Sequence, residues 1–131
     1  MNYYTSRIFD NVSFEQILEA VPPALKEEGF GILTEIDVSK VMKEKIDKDI
    51  RPYKILGACN PHFAYHALQA ENKIGTMLPC NVVVQEISDH QVEVSVVDPI
   101  ASMSAIENPA LGEVAGEVRD KLKNALTKIS V

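Results

Sequence analysis

Apolar residues recur along this chain in two rhythms, one of period two and one of three to four, and the switches between them delimit its elements. Residues 2–9 mix aromatic and β-branched types with polar ones and predict a first strand. Ser13 then opens a helix. Gln16 three residues on completes a capping box, and Phe14, Ile17, Leu18, Val21 and Leu25 share one helical face. Pro22 and Pro23 remove two backbone donors, so a kink or break is expected there. Gly29 suits the left-handed position that ends the segment. Residues 30–36 predict a second strand with Ile32 and Ile36 on one face. Asp37 or Ser39 caps a short helix to about Asp47, with Val38, Val41, Met42 and Ile46 facing inward.

A third strand is expected over 53–58, after Pro52. Asn60-Pro61 reads as an N-cap followed by proline at the first helical position, starting a helix to about Asn72. Residues 80–87 and 91–97 give the clearest strand pair, joined through Ser88-Asp89-His90. Val92, Val94 and Val96 alternate there with Gln91, Glu93 and Ser95, as in a half-buried antiparallel strand. Asp98-Pro99 ends that strand, and Asn108-Pro109 repeats the cap-and-proline start. The last helix carries a stripe of Leu111, Val114, Val118, Leu122, Ala125 and Ile129. Glu113 near its start and Lys121, Lys123 and Lys128 near its end complement the helix dipole. The order implies an α+β fold: a mostly antiparallel sheet covered by helices and closed by a long C-terminal amphipathic helix. With no repeat or linker, residues 1–131 are expected to form a single domain.

Composition narrows the function classes. Thirteen Lys and Arg against nineteen Asp and Glu give a net charge of −6, which disfavours a nucleic-acid partner. The densest basic stretch, Lys40 to Arg51, is interleaved with Glu44, Asp47 and Asp49 and reads as a solvated helix face. No run approaches the length of a membrane-spanning helix and no leader is visible, so no membrane partner is expected. A cytoplasmic protein with two free thiols is the expectation.

Candidate chemistry centres on those thiols. Cys59 ends a strand at a capped helix start, where the helix dipole favours thiolate. The intervening helix advances roughly 18 Å. Residues 73–79 reach at most roughly 25 Å, enough to bring Cys80 back near Cys59 if the two strands are antiparallel. Two neighbouring thiols suit a soft metal, a redox pair or a nucleophile. His62 and His66 share a helical face, so that Cys59, His62, His66 and Cys80 would make a two-sulfur, two-nitrogen zinc set, although the spacing matches no standard zinc motif. Inert buried cysteines are the plain alternative. Gly57 allows a ligand or a neighbouring backbone to approach the sheet, with Asn60 beside it. Gly112 and Gly116 read as close-packing positions on the sheet, Met77 and Met103 as gap-fillers, and Asp98 as a turn cap. No phosphate loop, nucleophile elbow or paired general base is present.

The segment Lys54-Ile55-Leu56-Gly57-Ala58-Cys59-Asn60-Pro61, with Ala64 and Ala67-Leu68, resembles a known prokaryotic family, domain of unknown function 302. So does Gly75-Thr76-Met77-Leu78-Pro79-Cys80-Asn81-Val82-Val83-Val84, and Gly29-Phe30-Gly31, Asp98-Pro99 and Asn108-Pro109 fit as well. The resemblance implies a fold similar to that of the TATA-binding protein, often dimeric, and no activity. Both cysteines belong to its motifs, whereas His62 and His66 do not. Two readings follow: a small-ligand, soft-metal or thiol site at Gly57, Cys59, Asn60 and Cys80, or a noncatalytic homodimeric interaction module with structural cysteines; a third, an apolar pocket between the sheet and the last helix, rests on the fold resemblance alone.

Overall fold

A computed structural model describes residues 2–131 of the protein. The alternating segments pair into a five-stranded sheet of order β1-β5-β4-β3-β2, antiparallel throughout. The strands are β1 (Tyr4–Asp10), β2 (Gly31–Asp37), β3 (Tyr53–Cys59), β4 (Cys80–Ser88) and β5 (Gln91–Val97). The helices are α1 (Phe14–Glu27), α2 (Val38–Ile46), α3 (Pro61–Ala70), α4 (Pro99–Ser102) and α5 (Pro109–Lys128), with one 3-10 turn at Ile74–Met77. The architecture is α+β, with α1 and α5 packed against the sheet.

The core follows the period-two pattern. Val92, Val94 and Val96 of β5, Val82 and Val84 of β4, and Leu56 and Ala58 of β3 are buried with Ile17, Val21 and Leu25 of α1 and Leu122 and Ala125 of α5. Short-range signals set the helix ends. Ser13 and Gln16 close the capping box on α1, and Asn60, Asp98 and Asn108 cap the helices that begin with proline. Gly29, at φ +86°, takes the left-handed turn after α1, where its N–H donates to Lys26 O and that of Phe30 to Leu25 O. The C-terminus of α5 is held from β1: the Arg7 guanidinium donates to the carbonyls of Leu126 and Ile129 at 3.0 and 3.1 Å. That replaces the missing helical partners of those oxygens.

Four local expectations are corrected. α1 runs unbroken through Pro22 and Pro23, because both rings lie on its exposed side, where the unpaired carbonyls one turn back can take water. Ile32 and Ile36 do not share a face. A bulge between Ile32 and Thr34 sets Ile32 opposite Ala58 and Ile36 opposite Ile55, and these partners point to opposite sides of β3. α2 forms with Asp37 as its cap but buries none of its residues, so its apolar stripe does not face a core. Gly112 and Gly116 are not packing positions, because a Cβ at either would meet nothing within 4 Å.

Candidate functional site

β3 and β4 run antiparallel with Ala58 directly across from Cys80, so Cys59 and Cys80 are diagonal neighbours on adjoining strands. Both cysteines are free, and both line one cavity. The cavity has a volume of about 340 Å³ and sits where the ends of these strands meet α3, α4 and the first half of α5. The wall from α3 is Phe63, Ala64, Ala67 and Leu68; that from α5 is Val114, Ala115 and Val118. Phe30 and Leu33 close one side, and Leu78, Pro99 and Met103 another. Leu33 is the residue skipped by the β2 bulge, and it stands 68% exposed at the rim.

The amphipathic pattern of α3 explains how this space arises. Its cap and proline fix where the helix starts, and its Phe63, Ala64, Ala67 and Leu68 side then turns toward α5. Three of the wall positions on α3 and α5, Ala64, Ala67 and Ala115, are alanines, too short to fill the gap between the helices. Ala67 belongs to a small separate apolar cluster with Ile74 and Leu111.

The candidate residues fall into three groups. Cys80 is buried, 8% exposed, and its thiol is pushed up to about 11, first by burial and then by repulsion from Cys59. A thiol in that state is a neutral part of the wall and a poor nucleophile. Cys59 is half-buried at the last position of β3, opposite Gly31. Asn60 lines the cavity, but its amide serves the scaffold. Its Oδ1 accepts from Phe63 N–H at 3.5 Å, and its Nδ2 donates to Glu28 O at 3.4 Å.

Gly57 and the histidines stand apart from the cavity. A side chain at Gly57 would collide with Thr34 Oγ1 and with Pro79 Cγ, the latter at 2.6 Å, so the room above this glycine is taken by the protein itself. His62 and His66 are exposed on α3, and neither lines the cavity. Among the described residues no group of three or more His, Cys, Asp or Glu side chains is placed to hold a metal ion. The zinc set of Cys59, His62, His66 and Cys80 is therefore not assembled. Helical spacing puts both rings on one face of α3, and that face is turned to solvent. Asp98 acts as a cap, its carboxylate accepting from Ile100 N–H at 2.9 Å. Met103 lines the cavity and Met77 is largely exposed.

Beneath the site, the end of α1 ties its supports together. The Glu28 carboxylate accepts from Lys128 Nζ and from Asn124 Nδ2, the latter at 3.3 Å, while Glu28 O holds Asn60. The hydrogen bond from Lys128, with Asn124 assisting, holds the Glu28 carboxyl below the usual carboxylate range. Sequence reading misses this link, because Glu28 and Lys128 lie at opposite ends of the chain and only the packing of α1 on α5 joins them.

Comparison with known proteins places these features in a family. Residues 6–129 match the model of the family described as "Domain of unknown function DUF302". The crystal structure of an uncharacterized conserved DUF302 protein from Bacillus stearothermophilus superposes with a TM-score of 0.90 at 25% identity, covering 99% of this chain and 100% of that one. No curated protein matches the chain. No helix among the described residues is long and apolar enough to cross a membrane.

Proposed function

The chain belongs to the DUF302 family, and since that membership assigns no activity, we propose from the site alone that it is a binding domain for a small lipophilic molecule. The ligand occupies the cavity at Cys59 and Cys80, with Cys80 as part of an apolar wall rather than as a reagent. The observation that carries this reading is the cavity itself: about 340 Å³, open at a rim formed partly by Leu33, and without a charged residue in its lining. Preformed small-molecule sites have this size and character, roughly 300–1,000 Å³ and mostly apolar. Soft-metal binding has less support, since among the described residues the two thiols gain no third ligand.

Native mass spectrometry of freshly purified protein tests the proposal. A retained small molecule, absent from an Ala64→Leu variant in which the larger side chain occupies the cavity, is the expected result. A bare polypeptide that also fails to take up the neutral dye 1-aminoanthracene would overturn it.

A second reading, a homodimeric interaction module, draws on a different surface. On the sheet face opposite the buried Phe9, β1 leaves Tyr4 and Ile8 44% and 49% exposed. Sedimentation equilibrium decides it: a monomer at micromolar concentration removes this reading and leaves the cavity untouched.

A further inference from the structure

Resting on the cavity reading, we infer that the ligand is neutral: an alcohol, aldehyde or hydrocarbon chain or ring, and not an ionised fatty acid or a phosphate. Among the described residues no Lys, Arg or His lines the cavity. Its one side-chain amide, that of Asn60, is already engaged at both ends with Phe63 N–H and Glu28 O. The positive end of α3 borders the cavity, and anions are commonly bound at such ends through free N–H groups. Here, among the described residues, His62 N–H is the one first-turn donor without a protein partner, and its residue lies exposed, outside the cavity lining. Pro61 has none, Phe63 N–H goes to the Asn60 side chain, and Ala64 N–H goes to Asn60 O at 2.9 Å.

The rim gives an anion no better place. Leu33 and Leu68, which line the opening and are exposed, are apolar. The stretch of α5 that contributes Val114, Ala115 and Val118 carries exposed Glu113 and Glu117, on a chain of net charge −6. A carboxylate placed inside would be desolvated without a partner, and a chain of net charge −6 offers an anion no long-range attraction. A hydroxyl or carbonyl loses far less on desolvation than an ionised carboxylate. The buried Cys80 thiol, which remains protonated at neutral pH, offers it a weak hydrogen bond.

Isothermal titration at pH 8 with two probes of equal chain length, 1-octanol and octanoate, tests the inference. The expected result is octanol binding at least tenfold tighter than octanoate, with octanol binding lost in Ala64→Leu. Octanoate binding as tightly as octanol would overturn the neutral-ligand inference and leave the cavity reading standing. Binding of neither probe would remove the cavity reading, and this inference with it. Octanol binding unchanged in Ala64→Leu would place the ligand elsewhere and overturn both.

Discussion

The two halves of α5 share one apolar stripe but end in different packing. Toward its C-terminus, Leu122, Ala125 and Leu126 fit against Val82, Val94 and Val96 and leave a gap of only about 10 Å³. Toward its N-terminus, Val114 and Ala115 face Ala64 and Ala67 across a space of about 340 Å³. Side-chain size separates the two: Leu122 and Leu126 reach the valines of the sheet at one end, while Ala115 meets Ala64 and Ala67 at the other. Protein interiors normally pack without such voids, and an empty one costs stability. A bound molecule offsets that cost by RT ln(1 + L/Kd), where L is the free ligand concentration, so the gain grows with concentration and affinity. The comparison therefore divides the domain into a filled half that holds the fold and an underfilled half available for binding.

The largest expected effect lies in the filled half. Leu122 is fully buried, and Leu122→Ala should lower stability by about 2–5 kcal/mol in urea unfolding. A loss under about 1 kcal/mol would mean that this end is no tighter than the other. Next comes the clamp of Glu28 by Lys128 and Asn124, whose contribution is read from the acid side of the stability profile. The Glu28 carboxyl titrates lower in the folded than in the unfolded protein. Its contribution is therefore complete above the unfolded carboxylate pKa and is lost as pH falls through the folded one. Glu28→Gln should make the wild-type decline on the acid side shallower, while an unchanged acid profile would show that the clamp carries nothing.

In the underfilled half the sign reverses. Ala64→Leu adds apolar surface where space exists and should raise stability by up to about 1 kcal/mol while removing ligand uptake. A loss like that of Leu122→Ala would show instead that this end is already full. The smallest change is at the exposed Gly112, where an added methyl meets nothing. Gly112→Ala should stabilise by about 0.5–1 kcal/mol through helix propensity alone, read as a shift in the urea midpoint.

The sequence discloses what is decided within a few residues. Ser13 with Gln16, Asn60 with Pro61, and Asn108 with Pro109 mark helix starts, and Val92, Val94 and Val96 mark a buried strand face. The proximity of Cys59 and Cys80 follows from chain reach and antiparallel pairing, and the register of Ala58 with Cys80 agrees. What fails depends on tertiary placement. The bulge after Ile32 turns Ile36 to the other face, and α2 presents a correct helical stripe to no core. The i, i+4 spacing of His62 and His66 fixes a shared face but not where that face points. The cavity is a difference between volumes contributed by separate segments, so a local pattern gives only its faint sign, small residues at Ala64, Ala67 and Ala115.

Xenon enters dry apolar cavities, so a crystal of the ligand-free protein pressurised with xenon shows directly whether the space between α3 and α5 is unfilled. Xenon density is expected to be bounded by Cys80, Ala64, Ala67 and Ala115, with none around Leu122. Side chains closed over that space, with no xenon between α3 and α5, would contradict it.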